Sequence, residues 1–209
     1  YHPRSALTYL ANTIASGERE IPYSTVTAVD FASEWPGPPL MDLKDQPIRQ
    51  LAHDEIVLNG WAAEDLQAEI GQTVRLTFFE PESTEGKLRE ITADFKIAAI
   101  AQRTGPAIDS AFTPGVPGVT DQDSIGDWNP PFPFDAKRIR DKDEQYWDDH
   151  RAAPKAFVSL AAGRRLWGSR FGRSTSMRIG AGDETTVQDL RRKLQLDPAQ
   201  LGFVFQPVK

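Results

Sequence analysis

Between Asp54 and Pro81 the chain reads DEIVLNGWAAEDLQAEIGQTVRLTFFEP, and its apolar positions change period twice. Ile56, Val57 and Leu58 form a short continuous run of strand type, followed by Asn59 as a helix N-cap. Ala63, Leu66 and Ile70 then fall at i, i+3 and i+7, which places them on one helical face directed at a core. Gly71 stands where a helix ends on a left-handed residue. Val74, Leu76 and Phe78 alternate with Thr73, Arg75 and Thr77, the period of a half-buried strand. The stretch predicts a strand, a short helix and a second strand.

The same reasoning carries along the chain. Ser5–Ser16 has Leu7, Leu10 and Ile14 at i, i+3 and i+7 ahead of Gly17, and predicts an amphipathic helix. Ile21–Asp30 predicts a strand, and the proline- and acid-rich Phe31–Pro47 a loop. Leu88–Ala101 predicts a long strand, paired as an antiparallel hairpin with Val74–Phe79. Thr104–Asp135 carries prolines at 106, 114, 117, 130, 131 and 133 and predicts an irregular segment. Asp141–Ala152 predicts a short charged helix. A second strand–helix–strand unit starts at Phe157, Val158 and Leu160 and runs through Arg164–Trp167 to Ser176–Ile179. Thr185–Leu194 predicts a helix with Val187, Leu190 and Leu194 on one face and Asp183 or Thr185 as cap, and Gly202–Phe205 a closing strand. The fold class expected is α+β. It is a two-lobed mixed domain over 1–209, with lobes at 20–101 (plus the closing strand) and 152–205 and an irregular insertion at 102–151.

Composition narrows the function classes. A chain of 209 residues with 39% hydrophobic and 26% charged residues can bury a core, which argues against wholesale disorder. A net charge of −6 argues against a nucleic-acid partner, which needs a basic face. The chain has no cysteine, which removes disulfides, thiolate catalysis and cysteine-bound metals. No apolar run approaches the roughly 20 residues of a membrane helix.

Candidate chemistry is sparse. His53, Asp54 and Glu55 are consecutive, and on a strand they point to alternate faces, so a polar strand entrance is favoured over a metal site. Glu144 and Asp148 share a helical face at i, i+4, while His150 lies away from it; a solvated acidic face is favoured over an acid/base or Ca²⁺ pair. GAGDETT, after Ile179, lacks the Gly-Lys-Ser/Thr ending of a phosphate loop, and no G-x-S-x-G elbow is present. No catalytic residue, metal site or cofactor is expected. The interaction surface expected instead has two parts. Arg151–Thr175 holds six Lys/Arg and no acid, after a segment 121–149 with nine acids against four bases. Arg164, Arg165, Arg170 and Arg173 therefore form either a contact patch for lipid head groups or an acidic partner, or a run that packs against those acids. Trp128, Phe132 and Phe134 are either a partner contact or a cluster that pins the insertion down.

The Asp54–Phe79 unit, TYLANTIASG with PYSTVTAVD, and KAFVSLAAGRRLWGSRFGRSTSMRIG together resemble the extracytoplasmic, MacB-like periplasmic domains of FtsX-type ABC transporter permeases. The three stretches occur in the family's order and cover about half of the chain. The resemblance implies a bacterial inner-membrane permease whose spanning helices lie just outside both ends of this sequence, with this domain on the extracytoplasmic side. It implies a non-catalytic role, coupling a partner ABC ATPase to export or extraction of a substrate. Expected partners are that ATPase, a second permease copy, and a periplasmic protein or lipid. The alternatives are a secreted carbohydrate- or peptide-active enzyme built from scattered carboxylates, and a secreted binding module.

Overall fold

The computed structural model describes residues 3–32, 37–81, 88–170 and 172–179, with Gln188, Asp189 and Arg192 beyond them. It divides into the compact unit Tyr1–Ile179 and a second unit, Gly180–Lys209. In the second unit the three described residues are helical, within the expected helix Thr185–Leu194. The rest of that helix, GAGDETT and the strand at Gly202–Phe205 lie outside the described residues.

The first unit is α+β. Its strands are β1 (Arg4–Ser16), β2 (Arg19–Val29), β3 (Glu55–Asn59), β4 (Thr73–Phe79), β5 (Glu90–Ala101), β6 (Ala156–Ser159) and β7 (Ser176–Arg178). Its α-helices are α1 (Gly60–Leu66), α2 (Asp141–His150) and α3 (Leu160–Trp167). The pairing closes on itself in the order β1-β2-β6-β3-β5-β4 and back to β1, and β7 adds to the start of β1. Two contacts, β2–β6 and β3–β5, are parallel and the others antiparallel.

Both strand–helix–strand units are present, and their lead strands are antiparallel neighbours, Val57 opposite Phe157. The residue ranges expected as two lobes thus contribute to one sheet. In each unit the last strand residue caps the helix that follows. Asn59 Oδ1 accepts from Ala62 N at 2.8 Å, and Ser159 Oγ from Ala162 N at 3.3 Å. Both helices bury their small residues, Ala62, Ala63 and Ala162, in the cluster that also holds Ile56, Leu58 and Val158. A Cβ on Gly163 of α3 would lie 2.2 Å from Ala28 Cβ, so only glycine lets this helix sit so close to β2.

Two expectations are corrected. Ser5–Ser16 is a strand. Leu7, Ala11 and Ile14 all join the main core, while Leu10 packs in a different cluster with Tyr23 and Trp128. Strict alternation cannot place residues 11 and 14 on one face. The change of face occurs at Asn12 and Tyr23, where the β1–β2 register is interrupted and Tyr23 has φ +36°. A strand buried on both faces that switches face midway reproduces helical spacing in sequence. Gly17, at φ +58°, opens the two-residue connection to β2, which is hairpin chemistry.

The second correction concerns α1. It stops at Leu66 because Gln67 takes the left-handed conformation (φ 49°, ψ 40°) one turn before Gly71. Ala63 and Leu66 are buried as expected, but Ile70 lies beyond the helix and is 62% exposed.

Candidate functional site

Insertion 102–151 contains short 3₁₀ turns and α2 among its described residues, and it folds back over the face of β1 and β2 opposite the main core. Val119, Ile125, Trp128 and Trp147 bury themselves there with Tyr23. Tyr23 ties the two parts together: its ring meets Phe134 at 4.7 Å and its hydroxyl accepts from Asp135 N at 2.8 Å. Between insertion and hairpin lies a cavity of about 350 Å³, lined mainly by apolar side chains.

Lys155 stands in the wall of this cavity. Its backbone is held on both sides, by N–H donation to Thr25 O at 3.0 Å and by acceptance from Asn59 N at 2.9 Å. The residue therefore extends β6 by one position, and its side chain falls on the same face as Phe157. The ammonium sits against the rings of Trp61 (4.4 Å) and Tyr146 (4.7 Å), with Asp143 Oδ1 at 3.8 Å. Burial pushes its pKa down to about 8, opposed by the Asp143 carboxylate.

Behind Lys155 is an ionic cluster. Arg140 grips Asp143 with two bonds, 2.6 and 2.7 Å, and reaches Asp65 at 2.6 Å. Lys142 also pairs with Asp65. Asp143 occupies the third position of α2 and accepts from the Arg140 backbone N–H at 3.1 Å, which helps start the helix. Tyr146 is wedged alongside. Its hydroxyl accepts from Asn59 Nδ2 at 2.9 Å, and burial raises its pKa. None of this was legible locally, because the Asn59–Asp65 stretch, Asp143 and Lys155 come from three separated segments.

The expected chemical candidates are placed as follows. Glu144 is turned to the protein and accepts from Ser124 Oγ, Ile125 N and Gly126 N at 2.8–3.0 Å, holding the turn Ile125–Asp127. Asp148 is exposed, and His150 packs edge-on against Tyr146. His53 and Asp54 form a surface pair at 4.0 Å, and Glu55 accepts from Ala52 N. No group of three metal-ligating His, Asp or Glu residues occurs among the described residues.

Trp128 and Phe132 both line the cavity, and Phe134 packs against Trp128 at 5.8 Å. The arginines are elsewhere. Arg164 is half-buried on α3 and donates to Arg173 O at 3.2 Å, while Arg165, Arg170 and Arg173 are exposed. None of the four lines the cavity. Within the basic run, Lys155 faces Asp143, and Arg151 donates to the backbone carbonyl of Asp123 at 3.1 Å.

No family model matches the chain, and no curated protein does. Among solved structures the chain is similar to the periplasmic region of MacB from Actinobacillus actinomycetemcomitans. The identity is 8% and the TM-score 0.42, over 97% of this chain and 68% of that one. It is also similar to a domain of a Porphyromonas gingivalis protein assigned as a permease, at 9% identity and TM-score 0.40, over 94% of this chain and 65% of that one. Neither alignment bears on substrate or partner.

Proposed function

We propose that this chain is the extracytoplasmic domain of an FtsX-type ABC transporter permease and passes the motion of a partner ATPase to cargo or proteins outside the membrane. The observation that carries the reading is the ladder between β1 and β7, in which Arg4 lies opposite Arg178. The first and last strands of the unit Tyr1–Ile179 are thus neighbours, an arrangement that suits a domain held between two membrane helices. The three sequence stretches that resemble the family support the same reading, since all of them contribute strands to the one body. No helix among the described residues is long and apolar enough to cross a membrane. In this reading the domain performs no catalysis and takes no cofactor. Arg164, Arg165, Arg170 and Arg173 on and after α3 would face an acidic partner or lipid head groups. The two carboxylates that do converge, Asp65 and Asp143, converge on Arg140, which supports a structural role for them over a catalytic one.

These 209 residues hold no cysteine, so an introduced one reports on this domain once any cysteine elsewhere in the protein is replaced. Leu43 is 61% exposed, and Leu43→Cys in the full-length protein should react with a membrane-impermeant maleimide in intact spheroplasts and sediment with membranes. Labelling only after lysis would place the domain in the cytoplasm and refute the reading. Labelled protein in the soluble periplasmic fraction would favour a secreted binding module, a reading that the cavity also supports.

A further inference from the structure

The insertion is fastened to the β1–β2 hairpin by polar contacts spaced along both strands. Thr8 Oγ1 donates to Phe112 O at 2.7 Å, and Arg138 Nη2 donates to Thr13 Oγ1 at 2.6 Å. On β2, the Tyr23 hydroxyl accepts from Asp135 N, and Thr25 Oγ1 donates to Ala152 O at 3.0 Å. These bonds fix the spacing between the two layers, so the space of about 350 Å³ between them is pre-formed. It lies within the roughly 300–1,000 Å³ typical of small-molecule sites.

The polar side chains of the wall already have partners in the protein. Tyr9 donates to Phe79 O, Asn12 to Glu90, Thr113 to Ala152 O and Thr120 to Val116 O. The indole N–H groups of Trp128 and Trp147 are buried, so these residues present ring carbon to the space. Three charged residues also line it, and each is engaged. Glu80 is held by Arg89 through two bonds of 2.9 Å. Arg151 is exposed and donates to Asp123 O, and its charge is opposite in sign to that of Glu80. The Lys155 ammonium lies against Trp61 and Asp143, neither of which is in the wall. What remains facing the space is apolar: Leu10, Val116, Val119, Ile125 and Phe132. Leu88, 49% exposed, and exposed Pro131 join this wall to the surface.

We propose that this cavity binds an uncharged, largely hydrocarbon molecule of on the order of ten non-hydrogen atoms, a size set by the roughly 30 Å³ that one water-sized group occupies. An ion would bring its charge to a wall whose polar groups are spent on one another, and would lose hydration without gaining a partner. A small polar molecule would meet the same wall and leave the apolar surface uncovered. A neutral apolar body gives up nothing on entry and removes that surface from water. The inference stands on the cavity alone and holds whether the domain is tethered to a membrane or secreted.

The test uses the whole chain and three probes that share one phenyl–alkyl body: butylbenzene, 4-phenylbutanoate and 4-phenylbutylammonium. Titration calorimetry measures each affinity. Butylbenzene should bind, and both ions should bind about tenfold or more weakly. Val116→Trp fills the cavity and should abolish butylbenzene binding. Leu88→Asp, at a half-exposed position where folding is not at stake, places a charge in the same wall and should weaken binding several-fold. The second variant keeps the inference testable if Val116→Trp does not fold. No butylbenzene binding by the wild-type chain, either ion binding as tightly as butylbenzene, or unchanged affinity in folded Val116→Trp or in Leu88→Asp would each overturn it.

Discussion

At the scale of single residues, Lys155 is the group whose position costs most and says most. A lysine normally keeps its ammonium in water. Here the backbone bonds to Thr25 and Asn59 fix its direction, and only two aromatic faces and one distant carboxylate receive the charge. Its folded pKa of about 8 lies below its unfolded value, so between the two the unfolded chain holds a proton that the folded chain has released. Stability must then rise with pH across that window, and below it both states are protonated and the penalty is constant. The groups around it are Asp143, Arg140, Asp65 and Tyr146. Urea unfolding of wild type and Lys155→Met should show the wild type gaining on the variant by on the order of 1–3 kcal/mol from about pH 7 to about pH 10. Parallel pH curves would mean that Lys155 is not buried as described.

Helix α1 shows how an element's end decides what its periodicity means. Leu66 and Ile70 look equivalent on a helical wheel, yet Gln67 ends the helix between them. Leu66 is left in the core and Ile70 on the surface. Leu66→Ala should cost about 2–5 kcal/mol, and Ile70→Ala no more than about 0.5 kcal/mol. Chemical denaturation of the two variants checks this directly, and equal losses would return Ile70 to the core. The N-cap at Asn59 and the alternation of β4 were legible because each depends on neighbours within a few residues. The identity of β1 was not. Its apolar residues serve two clusters and change face at Tyr23, a backbone feature held in place by Phe134 and Asp135 from more than a hundred residues away.

For the whole molecule, the insertion is the part in which sequence and structure diverge most. Its prolines and lack of periodicity predict a backbone that exchanges quickly. The structure instead gives it a buried aromatic cluster and closed amide bonds, Asn129 N to Gly118 O at 2.8 Å and Ile125 N to Glu144 at 3.0 Å. Hydrogen exchange should therefore find the amides of Ile125, Trp128 and Asn129 protected, and exposed positions such as Gly115 and Asp123 fast. Fast exchange throughout 104–135 would mean that the cluster does not hold and that the cavity has no fixed roof. By itself the sequence determined what short-range physics controls: the α+β class, both strand–helix–strand units, the capped start of α1, and the segment that would be irregular. It also bounded the chemistry by leaving out cysteine and phosphate-loop glycines. Only the tertiary structure decided that both units share a closed sheet, that α1 stops at Leu66, and that the aromatics and the arginines part company. It alone assembled the Lys155 site, because desolvation and charge pairing depend on which distant segments are brought together, and nothing in the local spacing of Asn59, Asp65, Asp143 and Lys155 encodes their meeting.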